Sequence, residues 1–310
     1  MLSVAAGFTI IFLIAGAGYA LRRTNFLDAA AVPIIHKLTF FILTPSLFFT
    51  ALATADIHVL FSTYFPVVAS VSVLGLLVAG LVARFVFREK FATATATATS
   101  ASYMNANFVG IPLATYVLGD STLSTPVMLF QLLVVTPVLL AIFDHATSGR
   151  ITVASVLIQP VRNPIVVASL AGVIVSLTGF EMPFVVAEPL RLLGTASVPL
   201  ALLMLGMTFH GDSLLQRERR GQVVMATVVK LVVMPFAGWI LAAFVFHLDP
   251  WSTYVVVLLM ALPTGLNAQN YTMRYGLSDA VARETIAVTT ILAMPVMMLC
   301  AALLLPTAMP

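Results

Sequence analysis

Stretches of nearly 20 apolar residues recur along the whole chain, separated by short polar or basic segments. Each is about long enough to cross the roughly 30 Å hydrocarbon layer of a bilayer. The pattern predicts ten helical spans, at about 3–21, 33–53, 62–83, 97–118, 125–143, 163–179, 190–209, 222–246, 252–273 and 284–305. No connection is long enough for a soluble domain, and the longest, about 144–162, reads as a plain connector. The Thr/Ala run from Ala92 to Ser102 could be a loop, but its small residues suit the start of span 4, where helix backbones can approach closely. The first span resembles a signal peptide around Ala15-Gly16-Ala17. No Lys or Arg precedes it and it exceeds a typical signal core, so it is expected to be a retained helix.

Composition agrees with the spans. Hydrophobic residues make up 61% and charged residues 9% of the 310 positions. Mean hydropathy is +1.08. A chain so poor in charge cannot cover a water-facing surface, so the expected class is an all-α integral membrane protein with the lipid bilayer as its surroundings. The net charge of +3 is too small, and too confined to short loops, to imply nucleic acid. Thirteen of the fifteen basic residues fall in odd-numbered loops, with Arg191 alone in an even loop and Lys230 inside span 8. Because Lys and Arg accumulate on the cytoplasmic side, both termini are expected to face outward from a cell (plasma) membrane. Cys300 is the single cysteine and can form no internal disulfide.

The two halves, about 1–145 and 160–310, carry similar interruptions. Pro45 in span 2 is matched by Pro199 in span 7, and Gly110-Ile111-Pro112 in span 4 by Pro263-Thr264-Gly265 in span 9. Five spans per half would invert the second copy, giving two inverted five-helix repeats. Paired interrupted helices in such halves point to a transport site near the bilayer midplane. The alternative is that membrane helices simply tolerate proline.

Span 4 is the most informative segment. Proline removes a backbone donor and clashes with the carbonyl four residues back, here that of Phe108. Gly110 and Pro112 are therefore expected to open the helix just before Pro112. Freed backbone is allowed at that depth only where protein or a wet cavity covers it. Asn105 and Asn107 lie beside it and can donate and accept without charge. They read as substrate contacts or as interhelical amide contacts. Span 9 repeats the ingredients with Pro263, Gly265, Asn267, Gln269 and Asn270. Two broken helices that cross would aim positively polarised half-helix N-termini at one point, which favours an anion.

Asn105-Ala106-Asn107-Phe108-Val109-Gly110-Ile111-Pro112-Leu113, followed by Gly119-Asp120, together with the Thr-Pro-Ser-Leu-Phe-Phe of span 2 and the run from Ala261 to Gly276, resembles the auxin efflux carrier family, and in particular its bacterial carriers of malonate-like acids. The resemblance covers the whole chain. It implies a single transporter domain with a scaffold of spans 1, 2, 6 and 7 and a transport unit of spans 3–5 and 8–10. It also implies elevator-type alternating access and a homodimer formed through the scaffold. Carried over, Asn105 becomes the main span 4 contact, Gln131 in span 5 a second, and Ser46 the scaffold side. The long central cytoplasmic loop of the plant exporters is missing here. Asn267 stands where those exporters tend to have an apolar residue, so auxin itself is not the expected substrate.

Lys230 lies about 12 Å of helical rise into span 8. An intramembrane charge is a functional candidate, for attracting an anion or for ion coupling, unless it snorkels to the membrane face. No acidic residue is expected well inside a span, which disfavours a carboxylate-based proton antiporter or pump. Sodium could still bind through freed carbonyls and amides. Enzyme motifs are missing: there is no His-Glu-x-x-His, Gly-x-Ser-x-Gly or phosphate-binding glycine loop. His36, His58, His145, His210 and His247 are scattered, so no metal is expected. The reading is a secondary transporter of a small organic anion, with no cofactor beyond a coupling H+ or Na+. The alternatives are a bile-acid-type sodium symporter and a channel or receptor.

Overall fold

The computed structural model describes residues 2–28, 30–54, 64–148, 163–208 and 219–304. Within them the chain is nearly all helix. In chain order the helices are α1 (Leu2–Arg23), α2 (Ala31–Ala53), α3 (Phe65–Val86), α4 (Phe91–Ser102), α5 (Ile111–Tyr116), α6 (Ser121–Thr147), α7 (Pro164–Thr178), α8 (Phe184–Thr208), α9 (Arg220–Val245), α10 (Pro250–Met260), α11 (Asn267–Arg274) and α12 (Ala280–Leu304). Six of them, α2, α3, α6, α8, α9 and α12, are long and apolar enough to cross a membrane, and α7 and α10 are shorter apolar helices. Most of the connector at 144–162 lies outside the described residues, as do His58, His210 and Asp212.

The chain groups into two compact units. The first is Met1–Phe61, Asn107–Thr125 and Ile158–Asp212; the second is Ser62–Ala106, Pro126–Leu157 and Ser213–Pro310. In the first unit, α1 and α8 pack backbone to backbone. A Cβ on Gly206 would lie 1.8 Å from the Ala15 carbonyl oxygen, and one on Gly18 would lie 2.0 Å from that of Leu203. Close approach through small residues is how helices associate where lipid is as apolar as any side chain. α2 meets α7 and α8 in the same manner at Gly172 and Gly194. Thr44, next to Pro45, and Ser197, two residues before Pro199, share a buried hydroxyl–hydroxyl hydrogen bond of 2.9 Å.

In the second unit the Thr/Ala run is helix α4, and it is buried along nearly its whole length. Its hydroxyls cause no penalty because they turn back onto the helix: Thr95, Thr99, Ser100 and Ser102 each donate to the carbonyl four residues earlier. Asp249 caps α10 through the backbone N–H groups of Trp251 and Ser252, as an N-terminal carboxylate should.

The expected opening at Gly110 and Pro112 is not where the helix breaks. Gly110 is helical, at φ −65° and ψ −45°, and Pro112 sits in the first turn of α5. Between Ala106 and Gly110 the backbone is a π-turn. Wider turns, with hydrogen bonds one residue longer, pass the clash between the proline ring and the carbonyl of Phe108 without opening the chain. The solution recurs: π-turns at Thr39–Leu43, Gln131–Val135 and Val229–Val233 each end two residues before a proline, namely Pro45, Pro137 and Pro235. The actual interruption lies upstream, at Tyr103–Asn105, between α4 and that π-turn. In the other interrupted span the break does fall on Pro263–Gly265, between α10 and α11.

The α1–α8 contact makes a direct prediction. Gly206→Val forces backbone apart, and overpacking of this kind costs about 1–3 kcal/mol, so its melting midpoint in detergent drops. Gly16→Val, whose added Cβ meets nothing within 4 Å, leaves the midpoint unchanged.

Candidate functional site

The site candidate is the crossing of the two breaks, which lies within the second unit. Tyr103–Asn105 and Pro263–Gly265 run antiparallel and form a bridge between Met104 and Thr264. Asn105 N donates to the Pro263 carbonyl at 2.8 Å, and Gly265 N donates to the Tyr103 carbonyl at 2.9 Å. A Cβ on Gly265 would stand 2.8 Å from the Met104 carbonyl oxygen, so the crossing itself demands glycine there. Pro263 brings no N–H that would need a partner.

Several further freed groups are met by side chains. Gln131, in the π-turn of α6, accepts from Met104 N and donates from Nε2 to Met104 O at 3.1 Å. Its amide thus acts as a further strand rung. Thr289 Oγ1 accepts from Thr264 N at 3.1 Å, and Thr264 Oγ1 donates to the Ser100 carbonyl at 2.7 Å. The Met260 carbonyl, at the last residue of α10, accepts from Lys230 Nζ at 2.9 Å. Unpaired buried backbone groups are rare for energetic reasons, and every one named here has found a partner.

A polar aromatic cluster adjoins the crossing. Tyr103 and Tyr271 meet edge to face at 5.8 Å. Thr136 Oγ1 lies 3.1 Å from the Tyr103 hydroxyl and 2.9 Å from that of Tyr271. Asn267 Nδ2 donates to the Tyr103 hydroxyl at 3.3 Å.

The structure therefore gathers Asn105, Gln131, Asn267, Pro263 and Gly265 around one crossing. Asn105 is buried at 3% exposure. Asn107 follows two residues on in the π-turn, and its Oδ1 is buried without a hydrogen-bond partner. The other candidates have partners of their own or face outward. Gln269 donates to Asp279 at 2.9 Å, and Asn270 is exposed. Ser46, in the first unit, donates to the Ile42 carbonyl within its own helix. Lys230 does not snorkel: it is fully buried, with Nζ also 3.5 Å from Met234 Sδ.

Sequence reasoning missed Tyr103, Tyr271 and Thr136, which carry no motif and read as ordinary amphipathic residues. It also passed over Glu284. That residue is 2% exposed and sits one turn into α12, so a carboxylate does lie buried at a helix start. The two threonines beyond it, Thr285 and Thr289, spaced by one turn, could have signalled a polar face.

Helices that stop at a paired backbone crossing and start again suit a membrane carrier. The known relatives agree. Residues 4–301 match the family described as "Membrane transport protein". A Rhizobium meliloti protein named "Putative malonate transporter" is 26% identical over 294 residues, 92% of this chain and 89% of that one. An uncharacterised transporter of Methanocaldococcus jannaschii is 20% identical over 287 residues, 91% and 92% of the two chains. The chain belongs to the auxin efflux carrier family of membrane transport proteins. The family and these relatives are transporters, not enzymes, and the protein is a multi-pass membrane protein with a small-molecule substrate.

Gln131 supplies the test of the crossing. Gln131→Leu strands both backbone groups of Met104, each worth about 1–3 kcal/mol when left unpaired and buried. The melting midpoint should fall sharply. Asn270→Ala, at an exposed position, should melt with the wild type.

Proposed function

We propose that this protein is a secondary transporter of a small organic anion, a malonate- or auxin-like carboxylate, working by elevator-type alternating access. The observation that carries the proposal is the crossing of Tyr103–Asn105 with Pro263–Gly265. Beyond it, within the second unit, the chain resumes as α11. Helix starts are positively polarised and suit an anion. Asn105 is the proposed principal contact, with Asn267 as a further contact in the same unit.

The proposed architecture is ten spans in two inverted repeats. Matching backbone devices support it. Arg88 and His247, 159 residues apart, both adopt positive φ, at 55° and 51°. Each follows a π-turn that ends a long helix, Val82–Val86 and Leu241–Val245, and each precedes an extended residue, Lys90 or Asp249, at the N-cap position of the next helix. The breaks at Met104 and Thr264 keep nearly the same spacing. The shorter offset of Gly110 and Gly265 is out of that register, as is that of Pro45 and Pro199. The grouping of the chain into two units supports a scaffold built on α1, α2, α7 and α8 and a transport unit built on α3, α4, α6 and α9–α12, but Asn107–Thr125, with α5 from the second half of span 4, groups with the scaffold helices and not with the transport unit. A homodimer through the scaffold, residence in the plasma membrane and outward-facing termini complete the proposal.

A panel of mono- and dicarboxylates, screened by thermal shift on purified protein with and without sodium, tests it. A short dicarboxylate should raise the melting midpoint, and Asn105→Ala should weaken that ligand about tenfold, the worth of one hydrogen bond to a charged group. Stabilisation by organic cations and by no carboxylate would overturn the anion reading.

A further inference from the structure

Lys230 is the one fully buried basic side chain among the described residues, and it lies outside the polar cluster at the crossing. Its two contacts are the Met260 carbonyl at 2.9 Å and Met234 Sδ at 3.5 Å. No carboxylate among the described residues pairs with it. Met260 ends α10 at the break, so its carbonyl stands at the negatively polarised C-terminus of that helix. Interrupted helices in membrane carriers offer such carbonyl ends to small cations. The surroundings are closely packed: a Cβ on Gly238 would stand 3.0 Å from Met260 Cγ, and one on Gly75 would stand 3.1 Å from Met234 Sδ.

We propose that Lys230 is a tethered cation: its ammonium fills a monovalent-cation site at the carbonyl end of α10, a place that would otherwise call for a free sodium ion. Lys230 is then a positioning residue. It holds the end of α10, and through it the Pro263–Gly265 segment, without touching the transported molecule. The carrier needs no free cation to keep its crossing formed. The inference is independent of which substrate is carried.

The test uses melting curves without any carboxylate. Lys230→Ala leaves Cβ in place, so n-propylammonium is the missing piece of the side chain. The variant should melt below wild type and recover by several degrees in n-propylammonium chloride relative to N-methylglucamine chloride at equal ionic strength. Wild type, and Lys230→Met, whose side chain fills the space, should melt alike in the two salts. A Lys230→Ala midpoint that is the same in both salts overturns the proposal. If that variant cannot be isolated folded, the wild type decides. Its midpoint should not change when sodium chloride replaces N-methylglucamine chloride, whereas a sodium-specific rise would mean that a cation site remains open and that the lysine does not occupy it.

Discussion

A backbone interrupted inside a bilayer has no water to turn to, so each freed N–H and C=O needs a partner from within the protein. The second unit is organised around that requirement. Two breaks placed side by side pair with each other through Asn105, Pro263, Tyr103 and Gly265. What the pairing leaves over is met from three further helices: Gln131 from α6, Thr289 from α12 and Lys230 from α9. Removing any one of them exposes a group in the least forgiving part of the structure, which makes the crossing a rigid node rather than a loose hinge.

The same requirement explains the odd composition of α4. A helix threaded through a crowded centre must be thin, which selects Ala, Ser and Thr. Thr and Ser would be a liability there unless their hydroxyls were paired, and they return to the carbonyls of their own helix. One further hydroxyl looks outward: Thr97 donates to Glu89 at 2.8 Å, tying the helix to the loop before it. Burial pushes the Glu89 carboxyl up, against the hydrogen bonds from Thr97 and Gln222 and the charge of Arg219.

Much of this could be read in the residues. Apolar runs foretold the membrane helices, and the Pro-Thr-Gly of span 9 marked its break correctly, because glycine and proline there answer a backbone need directly. Span 4 misled for a physical reason. Its proline and glycine are absorbed by a π-turn, whereas its break falls on Tyr103-Met104-Asn105, residues with no intrinsic tendency to break a helix. That interruption is imposed by the partner segment and by Gln131, long-range contacts that no local pattern displays. Lys230 was visible as an anomaly, but its partner is a backbone carbonyl 30 positions away, and carbonyls leave no mark in a sequence.

The π-turns before Pro45, Pro112, Pro137 and Pro235 also reshape the helices that contain them. A wide turn holds one residue more than an α-turn does, and one residue is about 100° of rotation. The stripe of side chains above such a turn is therefore rotated by more than a quarter circle from the stripe below. One continuous helix can thus present its greasy side to lipid in one leaflet and a different side in the other, and so meet different neighbours at the two depths without bending.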